Sequence, residues 1–283
     1  MIKIGIPNKG RLNKESIELL QKAGFKIQTL QRELSQICKN YEMKILFSRA
    51  SDIPMLLEKG ALDLGITGLD FIIEENVQAD KLLRLEFGKG KIILAAPEGK
   101  TLDDFNGKVL KIATSYPNIA RKYCAEKGIQ SEIVSMNGAV ELSPKMGIAE
   151  MIIDLSSTGV TLEKNGLNIL EEIVETQACL FASRQENKEK QKQIQKVVTA
   201  IRSVFLAREK KFLLANIPKK SLLETQKIVP GINGATVMSI ANDPSLCSIQ
   251  VIVCEKDIAK TIASLQNLGA TGILLMNLER IIP

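Results

Sequence analysis

The stretch from Glu150 to Gly166, EMIIDLSSTGVTLEKNG, constrains this chain more than any other. Met151-Ile152-Ile153 reads as the end of a buried strand, which stops at Asp154. Ser156, Ser157, Thr158, Gly159 and Thr161 follow, then the helix formers Leu162-Glu163-Lys164 and an Asn165-Gly166 stop. A strand opening through hydroxyls and glycine into a helix start directs N–H groups and side-chain hydroxyls at one point, which suits an anion. Asp154 stands where a carboxylate can accept from a pair of sugar hydroxyls or face a hydrated metal ion. The same residues also fit an ordinary polar βα loop with a hydroxyl N-cap. On either reading, the local unit is strand, short loop, helix.

That unit repeats. Ile2, Ile4 and Ile6 alternate with Lys3 and Gly5, predicting a half-buried first strand, and Pro7-Asn8-Lys9-Gly10-Arg11 leads to a helix for which Asn13 is the expected N-cap. Strands are predicted at 43–47, 62–66, 82–87, 91–96 and 109–113, with Ile133-Val134 continuing the series. Helices are predicted at 53–59, capped by Asp52 or Ser51, at 69–75 and at 118–127. Such alternation implies parallel βαβ units, whose ligands gather at the carboxyl ends of strands. Those ends carry Lys9, Gly10 and Arg11, then Arg49, which stands beside them if the strands are neighbours. Ser115 and Tyr116 end a later strand, Asp70 lies at a helix start, and Glu141 lies on a loop or helix start. For Asp70 a dipole-complementing place in a first helical turn is an equally physical explanation.

The chain contains no histidine, so imidazole is excluded as base, metal ligand or nucleophile partner. The five cysteines are scattered without a CxxC pair, which supports neither a disulfide framework nor a thiolate metal site and suits a reducing cytoplasm. A net charge of +6 with three tyrosines and no tryptophan favours small polyanions over nucleic acid. No apolar run approaches the roughly 20 residues that span a bilayer, and the first residues do not read as a secretory signal.

From Leu167 to Ala182 the pattern is strand-like and nearly continuous. The charged run 183–192 reads as a solvated helix start, grading into a helix with Ile194, Val197, Val198, Ile201 and Phe205 on one stripe. Beyond about residue 210, strand, helix, strand, strand, helix and strand follow in order, the ferredoxin-like βαββαβ arrangement.

Taken together, IATSYP at 112–117, NGAVELSPKMGIAE at 137–150 and DLSSTGVTLEKNGL at 154–167, supported by NKGRL at 8–12, SRASDIP at 48–54 and LDLGITGLD at 62–70, resemble the ATP phosphoribosyltransferase family in its long, regulated form. The resemblance implies an α/β chain with a two-lobed catalytic body like a type II periplasmic binding protein and a C-terminal ferredoxin-like regulatory domain of ACT/PII type. The implied segments are 1–90 for the first part of lobe I, 91–175 for lobe II, 176–209 for the return to lobe I and 210–283 for the regulatory domain. ATP and 5-phosphoribosyl 1-diphosphate (PRPP) are the implied substrates, Mg²⁺ the implied cofactor and histidine the implied allosteric inhibitor. A cytoplasmic homo-oligomer, dimer or hexamer, is implied, with no nucleic-acid or membrane partner.

By the same resemblance Asp154, Leu155, Ser156, Ser157, Thr158, Gly159, Val160 and Thr161 bind PRPP. Lys9, Arg11 and Arg49 join Asp154 as catalytic residues by neutralising polyphosphate. Gly10, Asp70, Ser115, Tyr116 and Glu141 fall on the nucleotide side. Asn216, Ile232, Gly234, Thr236 and Gly272 fall where relatives bind histidine. No dedicated Mg²⁺ ligand is implied, the ion being held through substrate phosphates with Asp154 at hand. The pattern departs from the family at Asn216, where some relatives have an acid, and from other phosphoribosyltransferases in its single Asp154, where many have two acidic residues. A two-lobed solute binder is the rival reading, since DLGITGLD alone also suits it.

Overall fold

The structure, a computed structural model, describes residues 1–28, 33–105, 107–184, 187–229, 231 and 234–282. The chain divides into two compact units, 1–18 with 25–195 and 19–24 with 196–283. In chain order the first elements are β1 (Ile2–Pro7), α1 (Gly10–Lys22), β2 (Ser35–Ile37), β3 (Met43–Ser48), α2 (Ile53–Glu58), β4 (Leu64–Gly68), α3 (Leu69–Glu74) and β5 (Asp80–Arg84). Then come β6 (Gly90–Pro97), β7 (Leu110–Thr114), α4 (Pro117–Lys127), β8 (Ser131–Ser135), β9 (Met151–Ser156), α5 (Val160–Lys164), β10 (Leu167–Thr176) and β11 (Ala178–Ala182). The long helix α6 (Lys188–Arg208) leads to β12 (Lys210–Pro218), α7 (Leu222–Ile228), β13 (Thr236–Ser239), β14 (Leu246–Cys254), α8 (Ile258–Asn267) and β15 (Thr271–Asn277).

The first unit holds two sheets, β2-β3-β1-β4-β11-β5 and β10-β6-β9-β7-β8. They share one plan. In each, three parallel strands (β3-β1-β4 and β8-β7-β9) are followed by an antiparallel strand (β11 or β6) and then by a strand antiparallel to that one (β5 or β10). The chain crosses between the sheets twice, from β5 to β6 and from β10 to β11. The successive strands expected at 82–87 and 91–96 thus fall in different sheets, and the stretch 167–182, which reads as nearly continuous, is divided at Gln177 with each half joining a different sheet.

The second sheet explains why its strands read as unbroken apolar runs. Ile92, Leu94 and Ala96 of β6 pack with Met151 and Ile153 in one cluster, while Ile93 and Ala95 pack with Ile152, Leu162 and Leu167 in another. Alternate side chains face opposite sides of the sheet, and both sides are covered. Each such fully buried Ile or Leu contributes about 1.5–3 kcal/mol. The first sheet keeps the alternation expected of β1, with Lys3 exposed, but covers its second face as well at Gly5 and Pro7. Ile2, Ile4 and Ile6 are fully buried, and Gly5 lies so close to Leu62 that any side chain there would displace it.

Two helix starts also differ from the sequence expectation. Helix α1 begins at Gly10, so Asn13 lies inside it, where its Nδ2 donates to the Pro7 carbonyl at 2.6 Å. Asp52 does occupy the N-cap position of α2 but makes no side-chain capping bond.

The second unit contains α6 from Lys196 onward and a four-stranded antiparallel sheet in the order β13-β14-β12-β15. With α7 and α8 this is the split βαββαβ arrangement. Leu213, Ala215, Ile217, Ile249, Val251, Val253 and Leu265 form its core. The apolar stripe of α6 is buried through Val197, Val198 and Ile201, whereas Phe205 is half-buried beneath the Arg208 guanidinium.

Candidate active site

Strand β9 delivers Asp154 to the wall of a cavity of about 150 Å³. Its lining includes Asp154 to Gly159, Thr161 and Glu141, so the hydroxyl loop does form a concave surface. Gly159 makes the turn at φ +77°, a left-handed conformation that other residues adopt at a cost. Its N–H donates to Ser156 Oγ at 3.2 Å, bracing the loop. The first α5 bond runs from Glu163 N–H to the Gly159 carbonyl, so Val160, Thr161 and Leu162 precede the helical ladder with their N–H groups. The helix starts at Val160, two residues before the helix formers that sequence singles out.

Ser115, at the exit of β7, donates its hydroxyl to Asp154 Oδ1. Burial lifts the Asp154 carboxyl above the usual carboxylate range; bonds from Ser115 and the Leu155 N–H oppose this, and the Glu141 charge adds to it. The ionised form is therefore under-solvated and suited to accepting hydroxyl donors in place of water.

A cation group lies at the carboxyl edge of the first sheet. Strands β1 and β3 pair in parallel with Pro7 opposite Ser48, and Asn8 N–H donates to the Ser48 carbonyl at 2.7 Å. Lys9 and Arg49, both exposed, thus leave neighbouring strands at one level. Gly10 and Arg11 open α1, and Arg11 Nε lies 3.2 Å from Glu15 Oε1, so its charge is partly matched.

Asp70 and Tyr116 are brought together as a buried pair. Asp70 is 3% exposed; it accepts from Tyr116 Oη at 2.8 Å and from Thr176 Oγ1 at 2.6 Å. Gly68 leaves room for this carboxylate, since a Cβ there would collide with Asp70 Oδ1. Burial and the Asp70 charge push the Tyr116 hydroxyl far above its ordinary range, so it stays a donor. Four residues on, Glu74 accepts from the N–H groups of Asn118 and Ile119 at 2.8 and 2.9 Å. Sequence reasoning passes over Glu74 and Thr176 because their partners lie 44 and 106 residues away. No local pattern marks either one.

The region 49–203 matches the HisG family model, described as ATP phosphoribosyltransferase, and 207–280 matches the model described as HisG, C-terminal domain. A protein of Methanopyrus kandleri named ATP phosphoribosyltransferase is 37% identical over 287 residues, covering 100% of both chains. One of Methanothermobacter thermautotrophicus with the same name is 38% identical over 287 residues, covering 100% of this chain and 99% of the relative. Among solved structures, the ATP phosphoribosyl transferase (HisG:HisZ) complex from Thermotoga maritima aligns at a TM-score of 0.64 with 27% identity, over 71% of this chain and 96% of that one. The chain belongs to the ATP phosphoribosyltransferase family. It has the family's long form, with the C-terminal domain present, and it is a transferase of histidine biosynthesis.

The family uses a divalent metal. Among the described residues no group of three or more His, Cys, Asp or Glu side chains is gathered to hold one. The cradle cavity does carry two carboxylates, Asp154 and Glu141, in its lining. That donor set fits a hard cation held chiefly by phosphate oxygens and water. Among the described residues no helix is long and apolar enough to cross a membrane.

The residues expected at a histidine site are divided by the sheet of the second unit. Asn216 on β12 pairs with Thr271 on β15, and Gly272 follows at φ +58° with Asn216 Nδ2 against it. Thr236 lies on β13, the opposite edge strand, and Gly234 precedes it at φ +92°. Ile232 lies outside the described residues.

Proposed function

We propose that this chain condenses ATP with PRPP, giving 1-(5-phosphoribosyl)-ATP and pyrophosphate, in a two-lobed body of periplasmic-binding-protein type. The observation that carries the reading is the cradle: Asp154, with the Ser115 hydroxyl on it, in the wall of a cavity also lined by Ser156, Ser157, Thr158, Gly159 and Thr161. The loop takes the 5-phosphate on its hydroxyls and N–H groups, with Leu155 and Val160 contributing backbone. Asp154 takes the ribose hydroxyls, and Glu141 closes the nucleotide side of the cavity.

The bond formed joins the adenine N1 to the anomeric carbon, and the bond broken is the one from that carbon to pyrophosphate. The ring nitrogen is already nucleophilic, so the absence of histidine leaves no step unserved. What remains is positioning and stabilisation of charge. Asp154 faces the side where an oxocarbenium-like centre develops, while Lys9 and Arg49, with Arg11 beside them, face polyphosphate. Mg²⁺, when bound through phosphate oxygens near Asp154, supplies neutralisation of the leaving group. Asp70 and Tyr116 serve the nucleotide side by fixing the two sheets around Ser115, and Gly10 lets α1 start close to the ligand.

The C-terminal unit is read as an ACT/PII-type module that binds histidine and lowers turnover. Gly272 on the edge strand β15, with Asn216 beside it on the interior strand β12, lies across the sheet from Thr236 on the other edge strand β13, an arrangement that favours a site completed by a second copy of the chain. This supports a homo-oligomer. Initial rates with each substrate varied, for wild type, Asp154→Ala and Arg49→Ala, test the catalytic part. Both variants are expected to lose at least tenfold in kcat/KM, equivalent to about 1.4 kcal/mol of transition-state binding. Unchanged rates overturn it. Equilibrium dialysis with histidine tests the regulatory part, and absence of binding overturns it.

A further inference from the structure

A second cavity, of about 300 Å³, lies where the chain crosses between the two sheets. Arg84, Lys89, Lys91, Glu175 and Thr176 line it, and so does Ser157, which also lines the cradle. The two cavities therefore share a wall. Lys91 Nζ lies 2.6 Å from Glu172 and 3.8 Å from Glu175, so the cavity's single carboxylate is engaged with that lysine. Arg84 and Lys89, both exposed, leave the cavity with surplus positive charge.

The topology gives this charge a definite place. Strand β11 is antiparallel to both β4 and β5, so β5 runs parallel to β1 and ends at the same edge. Arg84 closes β5 there, just as Lys9 and Arg49 follow β1 and β3. From β1 to β5 there are three strand spacings, through β4 and β11, or about 14 Å. The carboxyl edge thus presents two separate cation groups, with the cradle adjoining the second.

Two polyphosphates brought to one site repel each other, and the repulsion falls as they are separated. A reaction that joins the base end of one such molecule to the sugar carbon that carries the other's pyrophosphate needs both phosphate chains held, and held apart. We propose that the cavity walled by Arg84, Lys89 and Ser157 is a polyphosphate pocket, distinct from the Lys9–Arg49 group. Arg84 and Lys89 grip the phosphates of one substrate, and Ser157 joins that pocket to the 5-phosphate cradle. The identity of the substrate rests on the transferase reading; the pocket's affinity for a polyphosphate chain does not.

Calorimetric titration of inorganic tripolyphosphate into the full chain tests the pocket directly. Wild type is expected to bind, and Arg84→Ala and Lys89→Ala each to weaken binding roughly tenfold, as for loss of one charge-assisted contact. No binding by wild type, or equal affinity in all three proteins, overturns the proposal. Initial rates then identify the source. A roughly tenfold rise in the KM for PRPP, with weaker product inhibition by pyrophosphate, assigns the pocket to PRPP. A similar rise in the KM for ATP assigns it to the triphosphate, and no change in either KM overturns the proposal. Wild type that binds tripolyphosphate without turning over refutes the transferase reading and leaves the pocket standing.

Discussion

Glu74 offers the sharpest test of how the first unit is held. Pro117 has no N–H, and the N-cap residue Tyr116 makes no side-chain capping bond, so the first donors of α4 belong to Asn118 and Ile119. Both go to Glu74, one on each carboxylate oxygen, while Asn118 Nδ2 donates to the Glu74 carbonyl at 2.9 Å. The cap of a helix on the second sheet thus comes from α3 on the first. The carboxylate is 6% exposed and ends its own helix, where the dipole disfavours it. Facing the positive end of α4 offsets that cost.

Glu74→Gln keeps the shape and one acceptor but turns an amide N–H₂ toward a backbone N–H. One charge-assisted bond is lost, at about 1.5–3 kcal/mol, and a buried donor is left unmatched, at about 1–3 kcal/mol before relaxation. A net loss of about 2–3 kcal/mol is expected. For a unit of this size that lowers Tm by about 5–10 °C. Thermal melting, with Glu75→Gln as the exposed control, measures it, and hydrogen exchange should show faster exchange at Asn118 and Ile119. A Glu74→Gln loss below about 0.5 kcal/mol, within the ordinary range of surface substitutions, refutes the capping argument.

Asp154→Asn should abolish most turnover yet raise thermal stability near neutral pH. Burial raises the folded carboxyl pKa, so ionisation costs stability as pH rises through that value. The gain should vanish below the ordinary carboxyl range, and a pH-independent gain would contradict it. Gly159→Ala meets no atom within 4 Å, so its cost is conformational, about 1 kcal/mol from the left-handed φ, with cradle affinity falling alongside. Stability equal to wild type would show that the turn relaxes. Thr225→Val removes a buried hydroxyl that has no partner among the described residues and should stabilise the C-terminal unit by about 1 kcal/mol in denaturant unfolding. A loss of stability there would mean the hydroxyl is satisfied.

Much of this was legible in the sequence for a local reason. The βα loops carry their chemistry in consecutive residues, so Ser156 to Thr161, Lys9 to Arg11 and Ser115-Tyr116 could be placed at strand exits from periodicity alone. The nearness of Arg49 to Lys9 depended on a pairing, β1 with β3, that periodicity does not specify. The start of α1 was misplaced because Asn13 is a good capping residue whose amide instead binds the Pro7 carbonyl. Glu74, Thr176 and Arg84 are silent because their roles arise where distant segments meet, Glu74 at the start of α4 and the other two at the crossings between the sheets. An acid at the end of a short helix looks solvated until the opposing helix start is in view. The division of 167–182 at Gln177 was hidden for the same reason, as both halves are apolar strands.

The most direct test of the account is continuous ultraviolet detection of phosphoribosyl-ATP by the purified full chain given ATP, PRPP and Mg²⁺, with pyrophosphate release recorded in parallel. The account predicts one pyrophosphate per adduct, dependence on both substrates and loss of both signals in Asp154→Ala. Pyrophosphate release without ATP, or turnover undiminished in Asp154→Ala, would contradict it.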